Sequence, residues 1–297
     1  MSFKSGFVAI IGRPNVGKST LLNALMQTKL AITSDKPQTT RNNILGILNN
    51  EDYQMVFVDT PGVHKPKTAL GKSMNKGVYS SMQDADVIYL VIDATKSYGR
   101  GDEFLIERLN TNTNIFLVVN KIDLLSKEEL IEVLKKWQQH FDFKEIIPIC
   151  AKSENNVEEL LRTTISYLDE GVAFYPNDMI SNRGDDFRIK EIIREKVLFY
   201  TRQEIPHGVA VIVETKEEFD TSIDIQALII VERKSQKGIL IGKQASMIKN
   251  IRLSAQKELK QLLNKKVNLE LYVRIEENWR NKEDKLAKLG YKEFDDE

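Results

Sequence analysis

Phe7-Val8-Ala9-Ile10-Ile11 runs straight into Gly12-Arg13-Pro14-Asn15-Val16-Gly17-Lys18-Ser19, and this stretch decides the fold. An apolar run that stops at a glycine reads as a buried parallel strand. Gly12 to Ser19 fits G-x-x-x-x-G-K-[ST], and a helix pattern continues from Lys18 to Met26. Glycines let such a loop wrap closely, its N–H groups pointing inward and the positive end of the next helix behind it. Phosphate suits that arrangement. Lys18 is placed to reach the β and γ phosphates, and the Ser19 hydroxyl to meet Mg²⁺. Thr20 completes the phosphate-binding set.

Further along, Asp59-Thr60-Pro61-Gly62 fits D-x-x-G at the end of a strand pattern. Asp59 is expected to hold magnesium through water, and the Gly62 N–H to meet the γ phosphate. The loop Asp35 to Arg41 offers Thr39 and Thr40 as a hydroxyl that completes magnesium coordination only while that phosphate is present; Thr40 is favoured. Asn120-Lys121-Ile122-Asp123 fits N-K-x-D. Asp123 can accept from guanine N1–H and the 2-amino group, a donor pair that adenine lacks. Asn120 is expected to tie the base loop to the phosphate loop, and the stem of Lys121 to cover the base. Cys150-Ala151-Lys152 stands where a Ser-Ala-Lys loop usually offers an N–H to guanine O6. Cys150 departs from that Ser and reads as a small buried residue without a nucleophile's partners.

Around these motifs, strand patterns at Phe7–Ile11, Val56–Asp59, Val87–Asp93, Ile115–Asn120 and Ile146–Cys150 alternate with helix patterns. The helices are expected at Lys18–Met26, Asp102–Leu109, Lys127–Phe141 and Asn155–Asp169. Such alternation implies a mostly parallel sheet with helices on both faces, its ligand groups at the carboxyl ends of the strands. Residues 1–172 are assigned to this GTP-binding domain, 173–187 to a linker, and 188–297 to an α+β domain. That second domain is expected to hold a helix near Arg188–Thr201, two strands, a helix with Ile248, Ile251, Ala255, Leu259 and Leu262 in line, a third strand and a short closing helix.

The 297 residues suit two domains, and 41% hydrophobic with 29% charged residues is ordinary for a globular protein. No apolar run approaches the ~20 residues of a membrane helix, and the start lacks a secretory pattern. One cysteine excludes an internal disulfide, and His64, His140 and His207 read as surface or packing residues. Formal charge is zero, yet Arg233 to Lys266 carries ten Lys or Arg and one acid.

Taken in order, these motifs resemble the translation-factor-related class of small GTPases. The stretch Gly238-Ile239-Leu240-Ile241-Gly242-Lys243-Gln244-Ala245 resembles the G-x-x-G turn of a type II-like KH RNA-binding domain. A GTPase domain followed by one such domain is similar to the Era-like family of bacterial ribosome-assembly GTPases. The resemblance implies a GTPase using GTP/GDP and Mg²⁺, with Lys18, Thr40, Gly62 and Asn15 in catalysis and Ser19, Thr40 and Asp59 at the metal. It implies 16S rRNA near its 3′ end and the 30S subunit as partners, and a cytoplasmic monomer with peripheral contact at the inner membrane face. RNA contacts are expected from Lys237, Gly238, Ile241, Gly242, Lys243, Gln244, Ala245, Lys249 and Arg252.

Two departures stand out. Val63 occupies the place of a water-orienting glutamine, so intrinsic hydrolysis is expected to be slow, and Asn15 is expected either to hold a K⁺ ion or only to shape the loop. Ala245 replaces the last glycine of the turn, which leaves a GTP-gated module binding protein or membrane as a competing reading. An ATP-using enzyme is the third, and Asp123 argues against it.

Overall fold

The computed structural model describes residues 2–36, 38–63, 66–110, 112–201, 205 and 208–291. They fall into two compact units. The first comprises Met1–Thr33, Thr40–Lys65 and Met74–Asn182; the second comprises Ser34–Thr39, Pro66–Ser73 and Arg183–Glu297.

From residue 4 to residue 167 the chain runs β1 (Lys4–Ile11), α1 (Lys18–Met26), β2 (Ile44–Asn49), β3 (Tyr53–Asp59), α2 (Ala69–Gln83), β4 (Val87–Asp93), α3 (Arg100–Ile106), β5 (Asn114–Asn120), α4 (Lys127–Trp137), β6 (Glu145–Pro148) and α5 (Val157–Tyr167), all in the first unit except the start of α2 up to Ser73. The sheet order is β2-β3-β1-β4-β5-β6. Only the β2–β3 pair is antiparallel. The middle strands are buried on both faces, which is why they read as unbroken apolar runs. Helix α4 starts on a capping box: Ser126 Oγ accepts from Glu129 N, and the Glu129 carboxylate accepts from Ser126 N.

Helix α2 has no counterpart among the helices expected from sequence. Its Gly, Ser and Asn content hides Leu70, Met74, Val78 and Met82, which recur every four residues and are buried. His140 stacks on Tyr98, ring centroids 3.6 Å apart; His64 and His207 lie outside the described residues.

The second unit runs α6 (Asp185–Tyr200), β7 (Ala210–Glu218), β8 (Ser222–Val231), α7 (Lys234–Ile241), α8 (Ser246–Leu263), β9 (Lys266–Ile275) and α9 (Glu283–Lys288). Strand β8 is central, antiparallel to β7 and parallel to β9. Ile223, Ile225, Ala227, Ile229 and Val231 line its buried face, as the period of two requires. Helices α6 and α8 pack on each other. Helix α7 is a second difference from the sequence reading, which passes over Lys234–Ile241 as part of the basic segment. Among the described residues no helix is long and apolar enough to cross a membrane.

Residues 173–182, read from sequence as linker, run along the free edge of β2 within the first unit. Ile47 N donates to Ile180 O at 3.0 Å and Ser181 Oγ to Leu45 O at 2.6 Å. Gln54, fully buried, fastens this segment. Its Nε2 donates to Asn49 Oδ1 (2.6 Å) and Tyr175 O (2.8 Å); its Oε1 accepts from Phe174 N (2.7 Å) and Tyr175 N (3.0 Å). Every polar position of that amide is satisfied. Replacing it by a shape-mimic without partners leaves several buried groups unpaired. Gln54→Leu is expected to cost about 2–4 kcal/mol and to open 173–182 to proteolysis. An unchanged denaturation midpoint and digestion pattern would contradict this.

Candidate functional site

The phosphate-loop pattern spans the turn from β1 to α1. Gly17 sits at φ 102°, and a Cβ there would come within 2.2 Å of Asn120 Nδ2. Only glycine meets both demands. Lys18 is buried, and its Nζ donates to Gly12 O (3.1 Å) and Arg13 O (3.0 Å). Three oxygens gather just beyond it. Ser19 Oγ lies 2.7 Å from Thr40 Oγ1 and donates to Asp59 Oδ2 at 2.7 Å, with Thr40 Oγ1 at 3.5 Å from the same carboxylate. Asp59 Oδ1 is buried without a hydrogen-bond partner among the described residues. Burial pushes the Asp59 carboxyl up to about 6, held back by the Lys18 charge and by the Ser19 and Thr40 hydroxyls. Burial likewise pulls Lys18 down to about 8, against the opposing pull of Asp59. A hard cation beside Asp59 and an anion beside Lys18 would relieve both.

A buried amide and an ammonium tie the base loop to this one. Asn120, at the end of β5, donates through Nδ2 to Val16 O and accepts at Oδ1 from Ala151 N, each at 2.9 Å. Lys121 Nζ bridges Asn15 O (2.8 Å) and Asp93 Oδ2 (2.7 Å). Asp123 Oδ1 accepts from Cys150 Sγ at 3.0 Å. Cys150 is thus more than a filler: its thiol orients the carboxylate. The Ala151 N–H, expected from sequence to face a purine carbonyl, donates to Asn120 Oδ1 here. Sequence reasoning missed Asp93, which ends β4 as Asp59 ends β3. That strand-end placement was the available signal.

Other expected site residues hold the frame. Val16 is buried and presents its carbonyl to Asn120. Thr60 Oγ1 donates to Ile10 O at 2.8 Å, so its hydroxyl faces β1. Pro61 is buried, and a Cβ on Gly62 would meet Pro14 Cα at 2.7 Å. Arg13 pairs with Asp102 at 3.1 Å. Asn15 and Lys152 are exposed and Thr20 is half-buried. Val63 is buried in the core with Ile11, Val78 and Leu90.

In the second unit, Lys237, Gly238 and Ile241 lie on α7, and Lys249 and Arg252 on α8. The turn between these helices is exposed from Lys243 to Ala245. Gly242 (φ 70°), Gln244 (φ 51°) and Ala245 (φ 57°) all have positive φ there, and the last two are left-handed helical. Arg252 Nη1 donates to Gln256 Oε1 at 3.1 Å.

Two outcomes follow from these strains. An acid whose carboxyl is raised in the fold binds its proton more tightly folded than unfolded, so ionising Asp59 above pH 6 destabilises the fold. Asp59→Asn is expected to stabilise the nucleotide-free protein by about 1–2 kcal/mol at pH 7.5. The gain should fade as pH falls from about 6 toward the ordinary carboxylate range of about 4, where Asp59 is protonated in both states; lower stability in urea at every pH would contradict this. A left-handed alanine costs about 1 kcal/mol relative to glycine. Ala245→Gly should stabilise the second unit by that amount, read from buried Trp279 in a W137F background. No gain would mean that the turn carries no strain.

Comparison with known proteins finds two separate family matches along the chain. A model described as "50S ribosome-binding GTPase" matches residues 7–121, and a KH domain model matches 204–280. GTPase Era of Leuconostoc citreum is 50% identical over 296 residues, 98% of either chain. A crystal structure of Era in complex with MgGDPNP and nucleotides 1506-1542 of 16S ribosomal RNA matches at a TM-score of 0.94 and 37% identity, over 98% of this chain and 100% of that one. A variant of Aquifex aeolicus Era bound to GDP.AlF4- matches equally well. The mostly parallel first sheet is that of a P-loop GTPase, the second unit carries a KH domain, and the expected fold class holds. With GTPase and KH parts in this order across nearly its whole length, the chain belongs to the Era family of GTPases.

Proposed function

We propose that this GTPase is a nucleotide-driven switch that binds 16S rRNA near its 3′ end and acts in assembly of the 30S subunit, as a cytoplasmic monomer. One observation carries the switch: Thr40, drawn from a loop, meets Ser19 and Asp59 on a buried carboxylate with an oxygen to spare. The RNA partner is taken from the related Era complex, and the exposed turn between α7 and α8 supports it.

Each residue has a role in this reading. Lys18 exchanges its two carbonyl acceptors for phosphate oxygens, which are charged and hold it better. Gly62 offers its N–H to the γ phosphate. Ser19, Thr40 and Asp59 fit Mg²⁺, which when bound would neutralise charge on the β and γ phosphates. Asp123, steadied by Cys150, accepts from guanine N1–H and the 2-amino group. Asn120 keeps the base loop in register with the phosphate loop, and the stem of Lys121 covers the base. Val63, buried, has no polar side-chain atom to orient water, so hydrolysis of GTP to GDP and phosphate is slow. Asn15 stands exposed on the phosphate loop, where a K⁺ ion held with it would add positive charge.

On the RNA side, the first N–H groups of α8 and the residues Lys237, Lys243, Lys249 and Arg252 suit a phosphate backbone. Gly238, Ile241, Gly242, Gln244 and Ala245 shape the surface that the strand follows.

Turnover measured in K⁺ should exceed that in Na⁺ and lose the difference in Asn15→Ala; equal rates would reject the cation role. Short single-stranded RNAs should bind the full chain more tightly with a non-hydrolysable GTP analogue than with GDP, and affinity should fall steeply with salt. Equal affinity in both nucleotide states would reject the switch. Capture by anionic vesicles in preference to RNA would favour a membrane module instead.

A further inference from the structure

Thr39 and Thr40 are neighbours in sequence held by different units. Thr40 Oγ1 sits with Ser19 and Asp59 in the first. The Thr39 carbonyl belongs to the second, where it accepts from Arg194 Nη2 on α6. Thr39 Oγ1 donates to Lys36 O at 2.7 Å and closes the loop on itself.

Arg194 is fully buried, which is unusual for a guanidinium. Glu191, one helical turn away, holds it by a fork: Nε donates to Oε1 at 2.8 Å and Nη2 to Oε2. Nη1 is buried with no partner among the described residues. Buried ion pairs are poor stabilisers, and an apolar residue of similar volume often does as well or better. What this one supplies is a fixed donor directed at one loop carbonyl. Helix α6 passes the position on: it packs against α8, and Lys196 on α6 pairs with Glu258 on α8. The first residue of α8 follows Ala245, the end of the exposed turn. The segment after Gly62 enters the second unit in the same manner. Ala69 N donates to Asn281 Oδ1 at 3.2 Å, and Ser73 Oγ to Tyr291 O at 2.9 Å.

We propose that Arg194 is a positioning residue of the GTP switch, anchoring the Thr39 carbonyl so that movement of Thr40 at the γ-phosphate end reaches α6 through one peptide link. The proposal rests on the reading of Thr40 given above. It makes the Arg194–Glu191 pair part of the coupling between nucleotide and the basic turn, with no contact to either ligand.

The test uses the full chain and a short single-stranded RNA. The quantity is the ratio of RNA affinities with a non-hydrolysable GTP analogue and with GDP. Arg194→Met should bring that ratio about threefold to thirtyfold closer to one, leaving GDP affinity and RNA affinity in the GDP state unchanged. Arg194→Lys, which keeps a buried donor, should restore part of it; a merely structural role would give no such ordering. An unchanged ratio in folded Arg194→Met overturns the proposal. Should that variant fail to fold, Glu191→Gln is read instead. It loosens the fork without emptying the core, and the same fall is expected; an unchanged ratio there also overturns it. A parent ratio of one sinks the switch reading itself, whereas a parent ratio that survives both substitutions sinks only the role of Arg194.

Discussion

The frame of the proposed nucleotide site depends on a buried amide. Asn120 reaches from the end of β5 to Val16 O on one side and Ala151 N on the other. Sheet order makes this possible: β1, β4 and β5 are adjacent and parallel, so their carboxyl ends open on one edge. Glycine at position 17 makes it physically permissible, because any Cβ there would collide with the amide nitrogen. With the amide in place, the phosphate loop and the base loop keep a fixed separation. A site so preorganised orders few groups when ligand arrives.

The electrostatics of that edge favour binding at some expense in stability. Lys18 and Asp59 are both buried and both pushed toward their neutral forms. Burial of charge costs stability in the empty protein and is offset when opposite charge enters. Perturbed groups of this kind mark functional sites more often than structural ones. Surface pairs such as Arg162 with Glu158 carry no comparable tension, since water screens them.

Much of this was legible in the chain because it is local. A strand, a glycine loop and a helix fall within twenty consecutive residues, and each motif ends its own strand. The apolar runs of β1, β4 and β5 declared a buried parallel sheet before any pairing was known. Features needing a distant partner were hidden. Asp93 acquires meaning only when Lys121 folds over it, and Cys150 only when Asp123 lies beside its thiol. Gln54 looks like any polar strand residue until 173–182 covers it. Helix α2 was masked by its polar, glycine-containing composition, and α7 by its charges. Arg194 gave no signal, since a basic residue on a helix is ordinarily a solvated one.

Recognition of guanine by Asp123, in a frame set by Asn120, is the central proposal. Equilibrium competition on the full chain with GTP, inosine triphosphate and ATP tests it most directly. Inosine triphosphate lacks the 2-amino donor and should bind about tenfold to a hundredfold more weakly than GTP, and ATP weaker again by a larger factor. ATP competing on equal terms with GTP would contradict the account.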